Sequence, residues 1–445
     1  MSRTQLSLIL LVIATGAAAC GLAAGGVAAS VLGVELSGSA ALTGLPLGLL
    51  VVGAAIGALL IARLTPRLGR LRSLSVGYAT GATGALAVVA AARTQSFPLL
   101  LFGITLVGTA QAAMFLSRYA AAAGVPEHQR GRMLGMVLFC VALGGVVSPR
   151  LLSLGAELAA QIGLSPMCGV FLIAAAMLFM AMLLTSLDAL IAVPSDVRMR
   201  PMDQSPLAAE IVRGVQQRGA IVAMAVLALT NVLMVSVMTV LPIDLLQHGQ
   251  SLDVVGSVIS AHLVGMFAPS LLTGWLADRW HPRSVSTLGL GLLLSAALSG
   301  LLAHEPSMTA MTAMLIVLGV GWNCGIVGGS ALLVAAIPVK LRPQAEAIGE
   351  IAMGTAAAIA APLAGLVLAL AGIRGVWLGV VGLASLALGS RLGLRQPRAR
   401  RDIKPALLGS ESSSRLQQYA DAGRAVVGAI HDRPGIERHR LDQLP

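Results

Sequence analysis

Long apolar runs, separated by short polar and often basic breaks, dominate this 445-residue chain. Many of the runs reach about 18 residues or more, which is enough helix to cross a hydrocarbon core of about 30 Å. The runs are unbroken rather than alternating. Because a lipid-exposed backbone must satisfy its own hydrogen bonds, this pattern favours membrane-spanning helices over a barrel. The chain is therefore predicted to be an all-α membrane protein.

The runs predict twelve transmembrane helices. Their predicted ranges are 6–34, 40–64, 73–92, 97–118, 133–157, 164–187, 219–243, 252–277, 284–303, 307–335, 348–372 and 374–393. The first run is too long for the apolar core of a signal peptide, so we predict that it is a span. The organisation is two six-helix halves, residues 1–187 and 219–393, around a central cavity. A linker, 188–218, joins them, and a polar tail, 394–445, follows.

Basic residues concentrate in the breaks on one side of the predicted membrane. These residues are Arg63, Arg67, Arg70, Arg72, Arg130, Arg132, Arg279, Arg283, Lys340 and Arg342. Loops rich in Lys and Arg stay on the cytoplasmic side. This places the linker, the tail and both termini in the cytoplasm.

Composition agrees with a lipid environment and narrows the function. Apolar residues make up 57% of the chain and charged residues 11%, which is too few charges for the surface of a soluble domain. The four cysteines lie in apolar runs without a CxxC pair, and no phosphate loop or metal-ligand spacing is present. We therefore predict neither an enzyme nor a cofactor or metal site. The net charge of +11 belongs mostly to loops and tail, and does not indicate nucleic-acid binding.

Two related motifs follow the second helix of each half. The second reads GWLADRWHPR, with Gly274, Asp278, Arg279 and Arg283. The first reads GALLIARLTPRLGRLR. It keeps Gly57, Arg67, Gly69 and Arg70, but Pro66 stands where an acid is expected.

These motifs resemble the loop motif of the major facilitator superfamily, and the resemblance covers residues 1 to about 395. The phrases HLVGMFAPSLLTG, GVGWNCGIVGGSALL and SRYAAAAGVPEHQRGR resemble a bacterial permease subgroup without a defined substrate. The resemblance implies a monomeric secondary transporter of the bacterial cytoplasmic membrane that binds a small molecule. It also implies that the motif residues form a cytoplasmic latch between the halves. Alternatively, the arginines only fix topology.

Two prolines are predicted hinges. Pro149 ends ALGGVVSP, which loosely resembles the Gly-x-x-x-Gly-Pro motif of the family's antiporters and so favours export. Pro269 lies in the eighth helix, where it frees a carbonyl one turn earlier.

Ionisable residues inside the membrane are costly, and those in this chain are candidates for proton coupling. His262 lies about ten residues into the eighth helix, near the midplane. Its imidazole suits reversible protonation, although a neutral histidine that joins two helices is the alternative. Arg118 ends the fourth helix, where the resemblance implies that it handles protons or an anionic substrate; the alternative is that it snorkels to the interface. Glu350 opens the eleventh helix, where it either favours the helix dipole or turns inward to pair with Arg118.

Uncharged polar and aromatic residues are candidates for the substrate cavity. They are Asn231, Asn323, Trp322, Gln111, Phe139 and Phe267. The amides suit the polar end of an otherwise apolar substrate, or else they form hydrogen bonds between helices. The predicted function is proton-coupled efflux of a small, partly apolar molecule by alternating access. Proton-driven uptake of a nutrient or vitamin and a membrane sensor or scaffold without transport are the alternatives.

Overall fold

The computed structural model describes residues 3–23, 25–38, 42, 45–161, 163–191, 218–303 and 307–393. Within these ranges, the side chains of residues 145–153 lie outside the description. The tail 394–445 and most of the predicted linker, residues 192–217, also lie outside the described residues.

The described residues form thirteen α-helices. They are α1 (Arg3–Leu22), α2 (Gly25–Ser37), α3 (Leu45–Leu68), α4 (Arg70–Thr94), α5 (Phe97–Ala123), α6 (Arg130–Gln161), α7 (Pro166–Ile191), α8 (Arg218–Gln247), α9 (Leu252–Phe267), α10 (Ser270–Trp280), α11 (Pro282–Leu302), α12 (Met308–Ala336) and α13 (Arg342–Gly393). Single 3₁₀ turns, Glu127–Gln129 and Val339–Leu341, precede α6 and α13.

These helices make twelve membrane passes in the described part of the chain. Ten stretches are long and apolar enough to cross a membrane, one of them combining α9 with α10 and one combining the last two passes. The 32-residue α6 forms a further pass. Because the last of the ten stretches holds two passes, the total is twelve. Gly372, at φ 65° and ψ −175°, interrupts α13 and separates the eleventh and twelfth passes, because only glycine adopts this backbone conformation readily. The predicted all-α, twelve-helix fold is thus confirmed.

Two predicted passes are broken. The first, predicted as one helix over 6–34, is divided into α1 and α2, and glycines, which have weak helix propensity, flank the break at positions 21, 25 and 26. The eighth is divided at Pro269, which lacks the amide that would continue the helix. Several predicted ends also differ from the observed ones, and α5 continues to Ala123 rather than ending at Arg118. α7 continues to Ile191 rather than 187, and α13 begins at Arg342 rather than 348.

The two halves repeat the same plan with an offset of 212 residues. α4 begins at Arg70 and α11 at Pro282, which are 212 positions apart. α6 begins at Arg130 and α13 at Arg342, again 212 positions apart, and the 3₁₀ turns before them keep the same offset. A residue in one half therefore has a structural equivalent 212 positions later in the other.

Among the described residues, the core that both halves share lies toward one end of the bundle. The connections α3–α4, α5–α6, α10–α11 and α12–α13 carry the basic residues and lie at one end, here called the basic end. The apolar core near this end combines buried residues of both halves, such as Leu134 of α6 and Ala277 of α10. Toward the opposite end, the far end, each half also has a core of its own. The described core thus joins the two halves near the basic end.

Candidate functional site

Arg118, in the last two turns of α5, is completely buried. Its Nη2 donates to Glu350 Oε1 over 2.5 Å, and its Nε donates to Ser330 Oγ over 3.2 Å. Nη1 donates to the Phe115 carbonyl over 2.9 Å, and Nη2 also donates to the Tyr119 hydroxyl over 3.2 Å. The guanidinium carbon lies 4.6 Å from the centroid of the Tyr119 ring. In this conformation Arg118 does not snorkel to the interface, since its charged group is held between the two halves.

The contact between Arg118 and Ser330 places this ion pair on the axis that relates the halves. The two residues are 212 positions apart and are therefore equivalent in the repeat. Two equivalent residues can touch only near the axis that relates them. In folds built from two such repeats, substrate sites lie at the interface between the repeats. Arg118 and Glu350 therefore lie on the line along which a transport pathway would run.

The sequence had indicated that Glu350 opens its helix, but in the structure it does not. It lies eight residues after Arg342, the first residue of α13. Its side chain is 8% exposed and points between the halves toward Arg118. The helix dipole acts within the first turn, so it does not account for this carboxylate. The alternative, an inward-facing Glu350 in contact with Arg118, is the arrangement in the structure.

A second ion pair lies one helical turn nearer the basic end. Nη2 of Arg70, in the first turn of α4, donates to Oε2 of Glu346. The Glu346 side chain is 4% exposed and that of Arg70 is 21% exposed. Sequence analysis missed Glu346 as a site residue. The available signal was its spacing from Glu350, because residues four apart lie on the same face of a helix.

Asp278 joins the halves by a different contact. Its Oδ1 accepts from the amide of Gly131 over 2.6 Å, and its Oδ2 accepts from the amide of Arg132 over 2.9 Å. These are free amides of the first turn of α6, where a carboxylate also gains from the helix dipole. Gly274 allows the close approach, since a Cβ on it would lie 2.4 Å from the Gly131 carbonyl oxygen. Asp278, Gly131 and Arg132 together are called the cap contact below.

The other predicted latch residues have separate environments. Arg67, Arg279 and Arg283 are exposed at the basic end, and Arg279 lies 5.6 Å from the ring centroid of Trp275. Gly57 packs within one half, where a Cβ would lie 2.6 Å from Thr109 Cα. Gly69 forms the α3–α4 turn at φ 83°.

His262 faces a neighbouring helix. It is 1% exposed, and its Nδ1 donates to the Leu315 carbonyl of α12 over 2.8 Å. Because a carbonyl only accepts, Nδ1 carries the proton in this contact. Nε2 is buried without a hydrogen-bond partner in the described part of the chain. The side chain therefore joins α9 to α12 in this conformation.

The half-buried Asn231 and the buried Trp322 form a cluster in the C-terminal half. Trp322 Nε1 donates to Asn231 Oδ1 over 3.0 Å, and Asn231 Nδ2 donates to the Met353 carbonyl over 3.1 Å. The Phe267 ring meets Trp322 edge-on, with centroids 5.7 Å apart. The structure thus brings three of the six cavity candidates together.

The remaining cavity candidates lie apart from this cluster. Asn323 is completely buried, and its Nδ2 donates to the Met266 carbonyl over 2.7 Å and to Ser270 Oγ over 2.6 Å. Its amide spans the break at Pro269, so in this conformation it supports the helix rather than a cavity. Gln111 on α5 and Phe139 on α6 are half-buried.

The two predicted hinges differ in what the structure describes. Pro269 lies at the break between α9 and α10, with φ −76° and ψ −1°. Pro149 falls within α6, but its side chain lies outside the described residues.

A further acid, Asp188, was predicted to lie in the linker. It lies in α7 instead and is completely buried.

The sequence matches the family model described as the Major Facilitator Superfamily over residues 10–246 and 220–427. It is 31% identical over 355 residues to the uncharacterized MFS-type transporter YdeG of Bacillus subtilis (strain 168), covering 78% of this chain and 82% of YdeG. It is 27% identical over 334 residues to the riboflavin transporter RfnT of Brucella anthropi, covering 75% of this chain and 82% of RfnT.

Solved structures share the fold at low sequence identity. The fucose:proton symporter FucP of E. coli superposes with a TM-score of 0.69 and 14% identity, covering 88% of this chain and 98% of FucP. A bacterial homologue of the iron transporter ferroportin, in an outward-facing state, gives a TM-score of 0.68 and 12% identity, covering 88% of this chain and 99% of that protein. At these identities the likeness concerns the fold alone.

Proposed function

Because the chain belongs to the Major Facilitator Superfamily, we propose that this multi-pass membrane transporter couples protons to the movement of a small, partly apolar molecule. The observation that carries the proposal is the buried ion pair of Arg118 and Glu350 on the axis between the halves. An ionisable group buried inside a membrane protein is costly and marks function more often than stability.

The ion pair supports alternating access with a proton-controlled gate. A proton on Glu350 removes the charge that holds Arg118, and the halves then separate at the basic end. The positive-inside rule assigns the basic end to the cytoplasm. The described conformation, whose shared core lies near the basic end, is then closed toward the cytoplasm.

The substrate class follows from the residues between the halves. Trp322, which is buried, and the half-buried Phe267 supply aromatic rings, and Asn231 beside them supplies an amide that bonds to Trp322 and Met353 in this conformation. Away from the basic end, charged side chains are few. This arrangement suits an organic molecule with a flat apolar part and a polar end better than a polyanion. The leading direction is export from the cytoplasm in exchange for protons.

Uptake of a vitamin is the second candidate. The observation that favours it is the 27% identity to RfnT, a riboflavin transporter, over three quarters of the chain. A flat heteroaromatic solute also matches the aromatic surface of Trp322 and Phe267. The mechanism at the Arg118–Glu350 pair is the same in either direction.

Transport in everted membrane vesicles with a preset pH gradient tests the proposal. Riboflavin and a panel of amphipathic aromatic dyes are added, and the decay of the gradient is followed. A substrate should accelerate the decay in wild type and leave it unchanged in Glu350→Gln. Right-side-out vesicles then distinguish uptake from export by the sign of substrate accumulation.

His262→Ala is the matched variant, because His262 is the competing proton site. If its contact to Leu315 is structural, the variant should retain coupling once its amount in the membrane is equalised. Loss of coupling in His262→Ala with full coupling in Glu350→Gln would reverse the assignment. A pH gradient that no compound affects would remove the proposed proton coupling.

A further inference from the structure

The structure points to a second acid in the proton step, and we infer that Glu346 and Glu350 act as a pair that shares one proton when the basic end opens. This inference rests on the proposed function, since it concerns the same gate. It assigns a role to Glu346, which contacts no part of the proposed substrate site.

The closed conformation neutralises both carboxylates with arginines of the other half. Glu346 pairs with Arg70 of α4, and Glu350 pairs with Arg118 of α5. The acids are four residues apart on α13, which places their Cβ atoms roughly 6 Å apart on one helix face. All four side chains are held between the halves, so separation at the basic end breaks both pairs together.

Opening leaves these two acids with one cation. Arg342, four residues before Glu346, belongs to the same helix and donates through Nε to the Ile337 carbonyl over 3.1 Å. It therefore stays with the acids when Arg70 and Arg118 move away. The other charged groups near this cluster, Arg130 and Glu127, lie in the N-terminal half and form a 4.0 Å pair of their own.

Two adjacent carboxylates resist being ionised together, and one of them takes up a proton. Arg342 is then the remaining cation on this face of α13. The two carboxylates carry two negative charges, so the Arg342 guanidinium and one proton taken up from the solvent at the basic end make the face neutral. On closing, Arg70 and Arg118 return and the proton is released. Tyr119 and Ser330, which also contact Arg118, provide hydroxyl groups but no further charge.

The repeat shows that this device occupies only one of the two equivalent interfaces. The positions equivalent to Glu346 and Glu350 are Leu134 and Leu138, and the equivalents of Arg70 and Arg118 are Pro282 and Ser330. Neither acids nor arginines are required to build the fold at these places. Their joint presence on one side indicates a shared role.

Distance measurements on a spin-labelled protein test the inference without a substrate. Leu68 and Trp280 are exposed at the basic end and are equivalent in the repeat. Both are replaced by cysteine after the four native cysteines are removed, and the labelled protein is placed in lipid nanodiscs. The fraction of the long-distance, open population is then measured by double electron–electron resonance from pH 8.5 to pH 5.

In wild type, the open-to-closed ratio should rise as pH falls, approaching roughly tenfold per pH unit for one proton. In Glu346→Gln, Glu350 lacks its charged neighbour, so the rise should move to lower pH by about one unit or more. The double variant Arg70→Gln/Glu346→Gln leaves no arginine unpaired and should show the same displacement. Glu157→Gln, an exposed acid near the far end of α6, is the control that should match wild type.

Two results would contradict different parts of the argument. A wild-type profile in both Glu346 variants would overturn the shared proton while leaving Glu350 as the coupling residue. A wild-type ratio that does not depend on pH would overturn the proposed proton-controlled gate itself.

Discussion

The two interfaces that close the basic end are equivalent in the repeat, yet they are held by different chemistry. On one side Asp278 accepts from the amides of Gly131 and Arg132. On the other side, the equivalent of Asp278 is Pro66 and the equivalent of Gly131 is Pro343. One proline removes the carboxylate and the other removes one of the two amides, leaving only that of Gln344, so the cap contact has no counterpart there.

Ion pairs take its place on that side. Arg70 binds Glu346, although the equivalent positions on the first side are Pro282 and Leu134. The donors of the cap contact are backbone amides, which do not titrate, although its acceptor is the Asp278 carboxylate and Arg132 Nε lies 3.9 Å from Asp278 Oδ2. The other side is held by pairs of carboxylates and guanidinium groups alone. On the proton step proposed above, one repeated interface provides mechanical closure and the other a switch.

The largest effect is expected at the buried pair on the axis. Arg118→Gln leaves the Glu350 carboxylate without its cation in a buried place, which should destabilise the closed conformation by about 3–5 kcal/mol. The spin-label distance between positions 68 and 280 should then shift to the open population at neutral pH. The destabilisation comes from the unpaired charge and not from the loss of the arginine as such.

The double variant Arg118→Gln/Glu350→Gln separates these two causes. It removes both charges and keeps side chains of similar size, so it should recover much of the closed population. Equal opening in the single and double variants would show that the pair has no role in closure.

A smaller effect is expected at the cap contact. Asp278→Ala leaves two amides of α6 without an acceptor, which should cost about 1–3 kcal/mol. The same distance measurement should show more open protein at every pH. The pH at which the open-to-closed ratio begins to rise, attributed to Glu346 and Glu350, should stay unchanged, and a displaced onset would mean that the cap contact takes part in proton binding.

The missing cap contact can be introduced at the equivalent interface by substituting its two prolines. Pro66→Asp alone should not strengthen closure, since only one of the two amides, that of Gln344, remains to donate and the Glu346 carboxylate lies nearby. Pro66→Asp/Pro343→Gly supplies both partners and should favour closure relative to Pro66→Asp by about 1 kcal/mol. If Pro66→Asp alone strengthens closure, the missing amide is not the reason for the asymmetry.

Local sequence patterns predict the number, type and order of the passes, because a membrane span needs only length and apolar character. They also identify Arg118 and Glu350 as unusual residues, since each is an ionisable group at the edge of an apolar run. The partner of each group depends on which helices meet, and no periodicity within one helix carries that information. For this reason His262 stood out in the sequence, while Glu346, assigned to the loop before the eleventh helix, did not.

Errors at helix ends had a consequence for the site. With α13 predicted to begin at 348, Glu350 appeared to be a first-turn acid and Glu346 a loop residue. The start at Arg342, after a 3₁₀ turn, places both acids on one helix face within the bundle. Asp188 was misplaced in the same way, because polar composition near an end does not distinguish the last helical turn from a loop.

The smallest effect is expected at the turns between the second and third helices of each half. Gly69 adopts φ 83° and ψ 162°, and its equivalent His281 adopts φ 124° and ψ 137°. Such positive φ values are strained for any residue with a Cβ, at a cost of order 1–3 kcal/mol. His281 is exposed, and its Nδ1 accepts from the Arg283 amide over 3.2 Å, which offsets part of the strain.

His281→Gly should therefore raise the free energy of unfolding by about 1 kcal/mol, measured as a higher midpoint of thermal unfolding in detergent. Gly69→Ala introduces the same strain into the other half and should lower that midpoint. Opposite shifts in the two variants would support a common turn geometry, whereas a lower midpoint for His281→Gly would show that the imidazole contact outweighs the backbone strain.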